Sequence, residues 1–167
     1  MNLYFRRLLV LLKTWRGESL TPLDESVLQF HVLPTDISWR SHMLNSRYMN
    51  VMELGYTDLA SRMGLHTLIR RQRWQFKIVA VNLQYFHPLK FLQRYELSTR
   101  LLCWDNQCLY LEQCFRQNRK TVALGRVKVI IRGRRDSIAP GYLLELLGYD
   151  PASPIFPTTI QQWLKTT

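Results

Sequence analysis

The sequence predicts an α+β fold, a curved antiparallel sheet of about five strands wrapped around one long central helix. Three observations carry this expectation. One segment repeats apolar residues at three- and four-residue steps, the segments after it alternate with a period of two, and short polar turns join them. A single apolar helix and an antiparallel meander bury their apolar faces together when the sheet curls around the helix.

Residues 26–33 (SVLQFHVL) predict the first strand, with Ser26, Leu28, Phe30 and Val32 on one face and Val27, Gln29, His31 and Leu33 on the other. A polar turn, 34–44, leads into the helix, where Met49, Met52, Tyr56, Leu59 and Met63 form one stripe. Asn45 is placed to cap this helix and Gly64 to end it. The period then changes to two, and residues 75–87, 94–104, 108–117 and 121–132 read as strands. Asp105-Asn106 and Asn118-Arg119-Lys120 have hairpin length, and Pro88 breaks or ends the second strand. Residues 140–148 and 158–165 read as short helices around a linker holding Pro151, Pro154 and Pro157. The expected organisation is a basic amphipathic helix over 1–20, the main domain over 21–137 and a helical tail over 138–167. A sheet of this kind has open edges, which a second copy would pair, so a homodimer or a dimer of dimers is expected.

Composition narrows the function. Lys and Arg number 23 against 12 Asp and Glu, a net charge of +11 on 167 residues, and 47% of residues are hydrophobic. That apolar content closes a core and excludes intrinsic disorder. Cys103, Cys108 and Cys114 are odd in number and lack C-x-x-C spacing, which excludes a disulfide scaffold and points to a reducing, cytoplasmic setting. The positive surplus attracts phosphates on nucleic acid, lipid or a phosphorylated cofactor. No helix-turn-helix, zinc-finger or RNA-binding signature accompanies it, so nucleic acid is not expected. His31, His66 and His87 have no ligand spacing with one another or with a Cys, and no metal site is expected. Near the N-terminus, Leu8 to Leu12 is too short to span a bilayer, which takes about 20 residues. It also falls short of a signal-peptide core. As a helix, residues 1–16 set Arg6, Lys13 and Arg16 on one arc, opposite Leu8, Leu11, Leu12 and Trp15. That is the make-up of a helix lying in a membrane surface, here the inner one. Packing on its own domain or a dimer mate is the other reading.

Residues 32–53 (VLPTDISWRSHMLNSRYMNVME) resemble the active-site segment of the hotdog-fold thioesterases of the 4-hydroxybenzoyl-CoA thioesterase-like family. Those proteins share an Asp-containing turn, His-x-x-Asn, a Tyr three residues after the Asn and an acid five after the Tyr. His42, Asn45, Tyr48 and Glu53 match those positions. Tyr85-x-x-Pro88-Leu89 and Glu96 resemble the next strand pair, and residues 100–112 (RLLCWDNQCLYLE) resemble the branch of thioesterase superfamily member six. The similarity runs from about Glu25 to Arg132. It implies a hotdog fold and a thioester of coenzyme A or acyl carrier protein as substrate, cleaved to acid and thiol. Coenzyme A would enter only as part of the substrate, with no further cofactor.

The sequence departs from the family pattern at the catalytic position. The usual Asp lies four residues before the His, where this chain has Ser38, and Leu44 replaces the first of two Asn. Thioester hydrolysis needs a carboxylate to orient water or attack the carbonyl, and a donor to hold the oxyanion. Asp36 is one candidate, about 6.6 Å from Ser38 along an extended backbone, with Ser38 positioning a water. Glu53, on the helix, is the other. Asn45 and the neighbouring amides would hold the carbonyl at the positive end of the helix. Plainer roles are a turn cap for Asp36 and a pairing with Arg47 or Arg62 for Glu53. The resemblance gives His42 a turn-shaping role and Tyr48 a place beside the substrate. Trp39 is either a lid or a wedge at a dimer contact. Arg126, Lys128 and Arg132 share one parity of the last strand, as a rim for coenzyme A phosphates or as a solvated sheet face. Arg70, Arg71 and Arg73 form a second basic cluster. Acyl thioester hydrolysis is therefore the first expectation, and a catalytically impaired acyl-CoA or lipid binder held at a membrane by residues 1–16 is the second.

Overall fold

The computed structural model describes residues 18–39 and 42–166. The amphipathic segment expected at residues 1–16 lies outside them. The first strand, β1 (Ser26–His31), alternates as its sequence requires, with Ser26, Leu28 and Phe30 buried and the residues between them facing out. A 3-10 turn (Pro34–Asp36) precedes the long helix α1 (Asn45–Arg62). A second helix, α2 (Leu65–Gln72), follows at once, then β2 (Gln75–Tyr85), β3 (Arg94–Trp104), β4 (Cys108–Gln117) and β5 (Lys120–Arg132). A two-residue strand β6 (Ser137–Ile138), α3 (Pro140–Leu146) and α4 (Thr158–Thr166) complete the chain. The sheet order is β1-β3-β4-β5-β2, all antiparallel, with β6 added on β5.

Turn chemistry fixes the register of the meander. Between β3 and β4, Asp105 Oδ1 accepts from the amides of Gln107 and Cys108, both at 2.7 Å, and its Oδ2 accepts from the Tyr110 hydroxyl. Between β4 and β5, Asn118 and Arg119 both take positive φ, the two-residue turn whose twist matches that of the flanking strands. The α+β class and the four long strands agree with the sequence reading.

Helix α1, about 27 Å long by its residue count, lies on the inner sheet face. Its buried arc is Tyr48, Val51, Met52, Leu54, Gly55, Asp58 and Leu59. This corrects the expected stripe at its first member, because Met49 is exposed. Two polar features hold the arc. Asp58 is buried and accepts from the Ser26 hydroxyl at 2.6 Å, with Arg62 one turn on at 3.7 Å. Gln113, buried in β4, donates to the Met52 carbonyl at 2.9 Å and to Thr99 Oγ1 at 3.0 Å. Gly55 lies directly above this amide, and a Cβ there would stand 2.4 Å from Thr99 Oγ1 and 2.5 Å from Gln113 Nε2.

The expected cap is also corrected. Leu44 is the extended N-cap and Asn45 is already helical, because the Leu44 amide is used by the Asp36 carbonyl. Gly64, at φ +79°, ends α1 as expected. Helix α2 falls where no element is expected. Arg70 and Arg71 occupy its last turn, where cations oppose the negative end of the helix, and Arg73 is its left-handed cap.

The C-terminal segment packs on the outer face of the sheet. Ile160 and Trp163 of α4 form a second small core with Cys103, Cys108 and Tyr110, and Phe156 packs edge-on to Tyr110. Trp104 donates from its indole to the Pro151 carbonyl at 3.0 Å. With a helix on each side, β4 is buried almost continuously rather than alternately. The three cysteines are free thiols.

Gly55→Ala tests the helix–sheet contact. Helix propensity alone would favour Ala by about 1 kcal/mol, whereas the crowding against Thr99 and Gln113 predicts a net loss of about 1–3 kcal/mol in urea unfolding. Trp163→Ala should leave the main core intact and speed the labelling of Cys103 and Cys108 by a thiol reagent. Burial holds the Cys103 thiol up at about 11, with Asp105 adding to the effect.

Candidate active site

The segment between β1 and α1 is a backbone-paired loop. The Asp36 amide donates to the Leu33 carbonyl, and Asp36 Oδ2 accepts from the Leu33 amide, both at 2.9 Å. The Asp36 carbonyl accepts from Leu44, and the Ser38 amide donates to the His42 carbonyl at 2.9 Å. Isolated bridges join Ile37 to Met43 and His42 to Lys90, and the Met43 amide donates to the Leu89 carbonyl at 2.8 Å. Two adjacent pieces of this loop and a third from the segment after β2 thus lie side by side at the start of α1.

Beside them is a groove of about 220 Å³ lined by His42, Met43, Asn45, Tyr48, Tyr85, Phe86, His87 and Pro88. The first amides of α1, at Asn45 and Ser46, precede the intrahelical hydrogen-bond ladder at this end of the helix. The Tyr48 ring is clamped edge-on between Tyr85 at 5.1 Å and Phe115 at 5.0 Å. Burial pushes the Tyr48 phenol above its usual range, with a backbone hydrogen bond from Leu89 opposing, and burial does the same to Tyr85. Both phenols stay protonated at neutral pH and serve as hydrogen-bond donors rather than bases.

The structure brings His42, Asn45 and Tyr48 together on the groove wall, and does not bring the other candidates to it. Asp36 is buried with one carboxylate oxygen on the Leu33 amide, which gives it the turn-capping role. Ser38 sits in the paired loop and Trp39 at its exposed tip. Glu53 is half-buried on the helix flank shared with Met49 and Tyr56, and Tyr56 stacks on Phe76 of β2, so this flank faces the β2 side. Arg62 is engaged by Asp58 and by the Glu18 carbonyl.

The expectation for Arg126, Lys128 and Arg132 is a phosphate rim or a solvated sheet face. These residues lie on the outer sheet face, away from the groove. Arg126 Nε is 3.8 Å from Glu112, which also binds Arg100 at 2.7 Å, and Lys128 lies over the Tyr110 ring at 5.9 Å. Arg132 is exposed at the strand end opposite Gln75. The sequence reading missed Phe86 and His87 as groove residues. The Tyr85-x-x-Pro88 signal marks them, and only the return of β2 beside α1 shows what they face.

One long helix on a curled antiparallel sheet of order β1-β3-β4-β5-β2, with a groove at the helix start, defines a hotdog-fold protein of the thioesterase type. Residues 32–164 match the family model of the Thioesterase-like superfamily, and the chain belongs to that family. It is 27% identical to "Protein THEM6" of Xenopus laevis over 172 aligned positions, covering 97% of this chain and 78% of that one. Two solved structures share the fold. Slr0204, a 1,4-dihydroxy-2-naphthoyl-CoA thioesterase from Synechocystis, superposes with a TM-score of 0.65 at 10% identity, over 74% of this chain and 95% of that one. The protein SAV2348 from Staphylococcus aureus, solved in complex with CoA, gives 0.63 at 11% identity over 86% and 96%.

Asp36→Ala should cost about 1–3 kcal/mol in denaturant unfolding, because it strands the Leu33 amide. Asp36→Asn keeps an acceptor oxygen and should cost less than half of that. Equal losses would show that charge, not the turn bond, is what Asp36 supplies.

Proposed function

We propose that the protein hydrolyses a fatty acyl-CoA or related acyl thioester to free acid and thiol. The observation that carries this reading is the groove at the start of α1, where helix-end amides, two protonated phenols and the His42 and His87 imidazoles surround one space. In this reading the thioester carbonyl faces Asn45 and the neighbouring amides, whose partial positive charge stabilises the developing oxyanion. His42 and Tyr48 form the wall, and Asp36 holds the loop that carries Ser38. The carboxylate we assign to water activation is Glu53, since Asp36 is spent on its turn. Ser38 and Trp39 close the site from the loop side. Glu53 takes a proton as water adds at the carbonyl carbon, the C–S bond breaks, and that proton passes to the departing sulfur, giving acid and thiol. No cofactor is needed, and coenzyme A or acyl carrier protein enters only as the thiol half of the substrate.

A homodimer formed through β2 fits this chemistry. The edge strand exposes Ile78 and Val79, and Glu53 lies on the helix flank toward that edge, so a second copy would close the site. Helix α4 covers much of the outer face near β3 and β4, which favours edge pairing over stacking of sheets. Residues 1–16 supply a peripheral membrane contact in this proposal, and the free thiols fit a reducing, cytoplasmic setting.

One observation favours a second reading. Among the described residues no carboxylate lines the groove of the single chain, and Ser38 holds the usual Asp position, as in a binder that has lost hydrolysis. Thiol release from short, medium and long acyl-CoAs separates the two. Wild type should turn over, and Glu53→Gln should lower kcat by about 10²–10⁴-fold, while Asp36→Asn acts mainly through stability. Turnover lost in His87→Gln but kept in Glu53→Gln would move the base to the imidazole. No turnover with any substrate, while acyl-CoA still raises Tm, would leave the binding reading.

A further inference from the structure

The end of the molecule beside the groove exposes apolar side chains that the fold does not require there. Trp39 is 87% exposed at the tip of the loop before α1. Leu92 is 65% exposed in the turn before β3, and Phe91 beside it is also exposed. The two tips are neighbours. Ser38 bonds back to His42 and His42 bridges to Lys90, so Trp39 and Phe91 each lie one residue from this ladder. Leu92 also takes a positive φ of 62°, a conformation that favours glycine and penalises a side chain. A leucine held in that conformation and largely exposed adds little to the core.

Cations surround these tips. Lys90 and Arg94 flank Phe91 and Leu92 in the same turn. Arg94 also lines an open groove of about 410 Å³ with Tyr95, Glu96, Arg116, Asn118 and Arg119, at the same end of the sheet. The acids there are engaged. Glu96 accepts from Gln29, and Glu25 pairs with Arg116 at 3.5 Å. Apolar tips beside a basic groove complement an anionic lipid surface, with side chains entering the acyl boundary and lipid phosphates meeting the arginines.

We propose that this end, formed by Trp39, Phe91 and Leu92 with Lys90, Arg94 and Arg119, docks on an anionic bilayer. It would do so in addition to any contact made by residues 1–16. The catalytic groove opens between His42 and Phe86–Pro88, next to Lys90, so docking would set its mouth at the lipid surface and let the acyl chain enter from the membrane. That last step rests on the acyl-thioester reading, but the docking does not.

The test is co-sedimentation of the full chain with phosphatidylcholine vesicles, with and without phosphatidylserine, at about 0.1 M salt. Wild type should bind the phosphatidylserine vesicles and show Trp emission shifted to shorter wavelength, a shift missing in Trp39→Phe. Phe91→Ser with Leu92→Gly should weaken binding about 10-fold. Because Gly suits the positive φ, Leu92→Gly alone should keep or raise the unfolding midpoint, which separates lost docking from lost folding. Hydrolysis of a soluble short-chain acyl-CoA should be unchanged in the Phe91/Leu92 variants, so failure of the docking idea and of the hydrolase reading are told apart. Unchanged vesicle binding by the Phe91/Leu92 variant would overturn the proposal. So would complete loss of binding on deleting residues 1–16 alone, or a change of oligomeric state in the variant without lipid, which would make the tips a protein contact.

Discussion

The contact between Gln113 and the backbone of α1 sets the geometry of the protein. A primary amide buried in the middle of an antiparallel sheet must find partners, and this one reaches the Met52 carbonyl and Thr99. It can do so only because Gly55 presents no side chain and lets the helix backbone approach. The bond fixes both the height of the helix above the sheet and its position along its own axis. Asp58 with Ser26 pins a second point six residues further on. Two polar anchors on one helix prevent the sliding that an all-apolar stripe would permit. The position of the helix start, and therefore of the groove, follows from them.

At that start the surroundings are polar in hydrogen bonds but poor in charge. Phenols kept protonated by burial, helix-end amides and imidazoles make a site suited to holding a carbonyl oxygen. Negative charge is kept to the margins. Asp36 is turned into its own loop, and Glu53 is displaced onto the helix flank. Arg126 of β5 serves a different purpose, with Glu112 bridging it and Arg100 across three strands of the outer face. A strongly basic sequence therefore does not imply a strongly basic site.

Much of the architecture was legible because each strand carries its period in its own residues. Val127, Val129 and Ile131 against Arg126, Lys128 and Arg132 assign two faces without any tertiary information. The phase of α1 was less legible. Its buried arc includes Gly55 and Asp58, which an apolar pattern ignores, so Met49 was drawn into the stripe in place of Tyr48 and Val51. Asn45 has a good capping side chain, but the loop before it commits Leu44 to Asp36 and takes the cap position. Helix α2 is only eight residues long and lies between a helix-ending Gly64 and a strand, too short for its periodicity to stand out. The groove was half visible. Motif spacing marks His42, Asn45 and Tyr48, whereas their facing wall comes from residues some 40 positions away, brought there by β2 running back toward the helix start. Which side of the sheet an arginine serves was not legible at all, since parity gives two faces without saying which one meets the ligand.

The tail on the outer face also bears on how the chain is made. Ile160 and Trp163 cover Cys103, Cys108 and Tyr110, yet they leave the ribosome after every strand of the sheet. Until they emerge, the inner face can close on α1, which was made earlier, but the outer face of β3 and β4 remains bare. A growing sheet with one greasy side uncovered is a target for chaperones and a hazard in crowded polysomes. Phe156, Ile160 and Trp163 thus act as a late seal on that face.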